Sequence, residues 1–171
     1  MFNFLKKNNP NKIRMNRKIE LTRERLMSDP KIYDALVNKI EEEYLEEGIV
    51  AGAYLLGNTI RHHANATDSE IKQVKESPFM DKITTYYGFQ AFQHGFSLGH
   101  QHAIGQADPQ YVKETDILME DISRTMLNEA QNYFSNKKIV ECFVAFLKGA
   151  FNKGVERGQN LGENEYFYVK K

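Results

Sequence analysis

Over most of this chain, apolar positions recur three and four residues apart, with polar positions filling the gaps. In the stretch DILMEDISRTML (116–127), the apolar Ile117, Leu118, Ile122, Met126 and Leu127 read as the core stripe of a helix. Asp116, Glu120, Asp121 and Arg124 read as lying outside that stripe. The pattern predicts helices near 15–27, 30–62, 68–76, 78–106, 109–135 and 137–162. The 30–62 segment reads either as one long helix or as two. The aromatic, alternating ending ENEYFYVKK predicts an extended tail laid over the bundle.

Helix starts are written into the sequence. Asp29-Pro30, Ser77-Pro78 and Asp108-Pro109 each pair a capping side chain with a proline suited to the first helical position. Thr67 with Glu70 three residues later forms a candidate capping box. Without Gly-Pro-Ser linkers, the reading is an all-α, single-domain helical bundle of about five to six helices, with residues 1–18 a basic arm, 19–162 the bundle and 163–171 the tail.

Glycines interrupt this helical pattern in a regular way. LEEGIVAGAYLL (45–56), FQHGFSLGHQHA (92–103) and FNKGVERGQNLG (151–162) align without gaps. Each carries a large apolar residue (Leu45, Phe92, Phe151), then Gly-x-x-x-Gly at Gly48/Gly52, Gly95/Gly99 and Gly154/Gly158. A glycine inside a helix costs about 1 kcal/mol against alanine, so six cost about 6 kcal/mol, as much as the net stability of a small domain. Close helix–helix approach, which small residues permit, is the expected compensation. The alternative is a hollow where a ligand meets backbone. The unequal spacing of the three segments argues against a solenoid.

Composition adds limits. A chain of 171 residues with 41% apolar content can build a core without disulfides. The single cysteine, Cys142, lies in the apolar stretch IVECFVAF and reads as a buried inert thiol. The apolar run of the start MFNFLKK reads as too short for a signal peptide, and IVAGAYLLG (49–57) as too short to span a bilayer. The expectation is a cytoplasmic protein without membrane contact. Net charge is zero, but residues 1–25 carry +6, leaving −6 for the remainder. Lys6, Lys7, Lys12, Arg14, Arg17 and Lys18 precede the first acid and form a candidate phosphate- or acid-gripping arm.

Candidate chemistry is sparse. His100 and His102 lie about 160° apart on a helix and cannot share a metal there. His63, His94 and His102, with Glu47 as carboxylate companion, are the candidate ligand-binding residues, on the expectation that His63 and His102 meet where glycine stripes cross. No nucleophile, phosphate-loop or zinc-protease motif is present, and no metal or cofactor is expected. The functional expectation is a non-enzymatic interaction protein of regulator, inhibitor or immunity type. Its partner is another protein, with self-association through the glycine stripes as one form. A histidine-lined ligand pocket and a nucleic-acid-binding basic arm are the alternatives.

Overall fold

The computed structural model describes residues 30–103, 105 and 107–169, with side chains from Tyr44 to Glu163. The fold is all-α, and the described residues form five helices and no strand. α1 is Pro30–His63 and α2 is Asp68–Glu76. α3 covers 78–103 as three contiguous stretches: Pro78–Lys82, a π-helical turn Ile83–Tyr87, and Gly88–Ala103. α4 is Pro109–Ala130 and α5 is Lys137–Val169. No helix among the described residues is long and apolar enough to cross a membrane. The chain divides into two units, residues 1–40 and 41–171. Only the opening turns of α1 are described in the first, and the second is the bundle. The expected helix at 15–27, the Asp29 cap and the basic arm lie outside the described residues.

The caps form as local chemistry requires. Thr67 Oγ1 accepts the Glu70 N–H at 3.3 Å while Glu70 Oε2 accepts the Thr67 N–H at 2.8 Å. Ser77 accepts from the Phe79 N–H at 3.2 Å, and Asp108 accepts from the Tyr111 N–H at 2.7 Å. After α1, Asn65 takes a left-handed conformation (φ 47°), which asparagine tolerates better than most residues. After α3, Gly105 does the same (φ 73°) and turns the chain toward α4. The Asn136 side-chain amide donates to Glu70 Oε1 at 2.9 Å, tying α2 to the start of α5.

Helix direction follows from residue pairs. Gly48 of α1 faces the Phe92 ring, and Ile49 faces Gly88, so α1 and α3 run antiparallel. Gly52 faces Phe146 while Glu47 reaches Arg157, so α1 and α5 are also antiparallel. Gly95 faces Phe151 and Gly99 faces Val155, so α3 and α5 are parallel.

That parallel pair touches backbone to backbone. A β-carbon on Gly95 or Gly99 would collide with the carbonyl oxygen of Phe151 or Val155. One on Gly154 or Gly158 would collide with the carbonyl oxygen of Phe92 or Phe96. The second and third glycine segments thus use equivalent positions on each other. The first segment behaves differently. Gly48 accommodates a ring, and a β-carbon on Gly52 would lie 2.7 Å from the Phe146 carbonyl oxygen. The close approach of α1 to α5 also uses Gly149, outside the aligned pattern, where a β-carbon would lie 2.8 Å from the Ala51 oxygen.

The core is aromatic. Phe79, Tyr87, Phe92, Phe143 and Phe146 are fully buried with Ile83, Met126 and Leu147. Phe79 packs edge-on to Phe143 with ring centroids 5.4 Å apart. Cys142 is buried, and that burial raises its thiol pKa.

Three expectations change. The ending is not extended: α5 continues to Val169. Adding a residue to an existing helix fixes little and gains a hydrogen bond, so alternation over a few residues does not redirect the chain. α4 stops at Ala130, followed by a tight turn, rather than reaching 135. The inward face of α4 also differs in part from the expected one: Ile122 and Met126 face the core and Leu127 packs partly buried against it, as expected. Thr115, Ile122, Met126 and Ala130 are buried, whereas Ile117 and Leu118 are exposed. The winning stripe includes small and polar members that an apolar count passes over.

Candidate functional site

Two polar arrangements and one exposed apolar face stand out from the packed bundle. The first arrangement joins α1 to α5. Arg157 Nε donates to Glu47 Oε2 at 2.9 Å and Nη2 donates to the same oxygen. The guanidinium lies 4.6 Å from the centre of the Tyr44 ring. Lys153 Nζ sits 3.7 Å from Glu47 Oε2 and donates to both Glu156 oxygens at 3.0 Å. Hydrogen bonding from Arg157 holds the Glu47 carboxyl below the usual carboxylate range. Glu47 is therefore engaged by cations across a helix crossing.

The second arrangement lies at the π-helical turn of α3, where the Gly88 N–H reaches back to the Ile83 carbonyl. Tyr87 points inward there and its hydroxyl donates to Glu129 Oε2 of α4 at 2.6 Å. Lys82 Nζ donates to the two Glu129 oxygens at 2.6 and 2.7 Å. Burial raises the Tyr87 phenol pKa well above its ordinary value, and the hydrogen bond to Glu129 adds to the effect. Lys82 and Tyr87 in turn lower the Glu129 carboxyl. This triad ties the irregular turn to α4.

The histidines do not converge. α1 and α3 run in opposite directions past the Ile49–Gly88 contact. His63 lies fourteen residues beyond it one way and His102 fourteen beyond it the other way, about 20 Å each. The expected meeting at a glycine crossing is thereby corrected: these two mark opposite ends of the bundle. Both are exposed. Glu47 lies about 24 Å along α1 from His63 and cannot share a ligand with it. His94 is half-buried on the face of α3 that carries Tyr87, Ala91 and Leu98, and desolvation lowers its pKa. Among the described residues, no group of three His, Cys, Asp or Glu side chains could hold a metal ion.

The exposed face belongs to α1. Val50 and Tyr54 are 62% and 72% exposed, the highest values among the large apolar residues described. Ala53 and Gly57 are exposed on the same face. Beside it lies an open hollow of about 650 Å³, lined by Glu46, Glu47, Val50, Ala51, Tyr54 and Lys153. Sequence reading passed over Tyr54, Val50, Lys153 and Arg157. Their signal was faint: IVAGAYLL is apolar all round, so which side faces out depends on where α3 and α5 pack.

The chain matches no protein-family model, and neither a curated protein nor a solved structure resembles it.

Proposed function

We propose that this chain is a non-enzymatic helical interaction protein, cytoplasmic, that acts by binding another protein through the outer face of α1. The observation that carries the reading is the exposure of Val50 and Tyr54 one turn apart, beside a charged rim of Glu46, Glu47 and Lys153. An aromatic and an aliphatic side chain at the centre, with charges around them, is the composition of a protein-binding patch. Leaving both in water forgoes roughly 1.5–3 kcal/mol of burial for each, which a partner recovers. Occlusion or scaffolding needs nothing more than such a surface.

Pull-down from the native host with immobilised full-length chain tests the reading. Wild type is expected to retain a defined partner, this chain included, and Tyr54→Asp to lose it. Equal recovery by both would remove α1 as the contact surface, and no recovery by either would end the proposal.

A further inference from the structure

The outer face of α1 has a symmetry of its own. Reading along the exposed stripe gives Glu46, Val50, Ala53, Tyr54, Gly57 and Arg61. At roughly 100° per residue these six fall within about 100° of arc, a single helix face. All six are exposed. About the point midway between Ala53 and Tyr54 the stripe is complementary to itself when reversed. Val50 falls opposite Gly57 and Glu46 opposite Arg61, while Tyr54, on one edge of the stripe beside the axis, falls next to its own counterpart. The Val50 projection meets a small residue, and each charge meets its opposite.

Gly57 supplies an independent argument. The helical glycines 48, 52, 88, 95, 99, 149, 154 and 158 each have neighbours that a β-carbon would strike, so their smallness is used inside the chain. At Gly57 an added β-carbon meets nothing within 4 Å. Its cost of about 1 kcal/mol against alanine therefore has no return among the described residues of one copy. Reversed pairing gives it one, because Gly57 receives the Val50 of the other copy.

We propose that this face binds the same face of a second copy of the chain, antiparallel, about a two-fold axis passing between residues 53 and 54. The inference rests on the protein-binding reading above and names its partner. A two-fold contact requires that whenever residue i meets j, j also meets i, and the pairs this stripe then makes, Val50 with Gly57 and Glu46 with Arg61, are complementary. The other exposed apolar pair on a long helix, Ile117 and Leu118 of α4, does not. Reversal about its midpoint sets Glu114 against Asp121, like charge against like charge. The stripe spans about 22 Å, short for a standard interface of roughly 800 Å² per partner, so the dimer is reversible and concentration-dependent.

Sedimentation equilibrium of the full chain over a concentration series tests this. Wild type is expected to shift from monomer to dimer as concentration rises. Tyr54→Asp weakens the dimer roughly a hundredfold, since two buried aromatic contacts are lost and two charges enter the interface. Glu46→Arg and Arg61→Glu each weaken it roughly tenfold, because every substitution acts twice across the axis. The double variant Glu46→Arg/Arg61→Glu restores wild-type affinity, which only a reversed pairing of these positions explains. All the altered side chains are exposed, and unchanged helicity and unfolding midpoint confirm that the variants fold. A wild type that stays monomeric at the highest concentration reached overturns the proposal, as does a dimer indifferent to Tyr54→Asp or not restored by the double reversal. The protein-binding reading survives a monomeric result if Tyr54 still governs capture of a different partner, and falls with it if nothing is captured.

Discussion

Gly95 lies directly against the main-chain carbonyl of Phe151, with no room for a β-carbon between them. The neighbour is backbone of a parallel helix, held by its own hydrogen bonds, so it cannot swing aside as a side-chain tip would. Gly95→Ala is therefore expected to destabilise the fold by about 3 kcal/mol or more, although alanine is the better helix former. Urea unfolding measures this, and a stabilised Gly95→Ala would mean that α3 and α5 do not meet here.

Gly57 provides the opposite case on α1. With nothing in reach of a β-carbon, Gly57→Ala is expected to raise monomer stability by about 0.5–1 kcal/mol. The measurement is the same unfolding experiment at concentrations where the chain is monomeric. A loss of stability there would show an intrachain neighbour that the structure lacks.

Tyr87 and Glu129 link α3 to α4 through one hydrogen bond to a charged acceptor. Tyr87→Phe keeps the ring and removes the donor, leaving Lys82 to hold the carboxylate. The expected cost is about 1.5–3 kcal/mol, the range for a hydrogen bond to a charged group. The raised phenol pKa also sets a direction in alkali. The folded state keeps the proton that the unfolded chain releases from about pH 10, so stability present below that value is lost as pH rises above it. Tyr87→Phe should flatten this alkaline loss.

His94 should act on the acid side. Desolvation lowers its pKa, so the unfolded chain takes up a proton at its ordinary value of 6.5 before the folded chain does. Stability present above that pH falls as pH drops through the interval below it. The carboxyls of Glu47, Glu70 and Glu129 are held below 4.5 and add their own loss only at lower pH. Comparing unfolding midpoints near about pH 7.5 and pH 5 for wild type and His94→Gln isolates the effect. An unchanged slope in the variant would assign the pH dependence to another group.

What was legible in the sequence shares one physical property: it is decided within about one helical turn. The Thr67–Glu70 box and the Ser77 and Asp108 caps bond to residues two or three positions away, so they could be placed before any tertiary contact was known. The helical class followed from apolar spacing, and the glycine pattern marked where smallness was needed. What small residues were needed against was not legible. Gly95 and Gly154 meet each other's helix, whereas Gly52 meets Phe146 and, with Ala51, flanks a glycine the pattern omitted.

The candidate site divides along the same line. Three histidines on neighbouring helices invite a common pocket when helix direction is unknown. Antiparallel packing of α1 and α3 sends His63 and His102 to opposite ends, and Glu47 pairs with Arg157, a residue 110 positions away. The outward turn of Val50 and Tyr54 is likewise a tertiary fact. A helix apolar on every side has no preferred inside until others pack on it, and here α3 and α5 took the glycine side. The sequence by itself determined helices, caps and the places where backbones can approach. Only the tertiary structure decided helix direction, the partner of each charge and the face left to water, because those depend on burial summed over segments far apart in the chain.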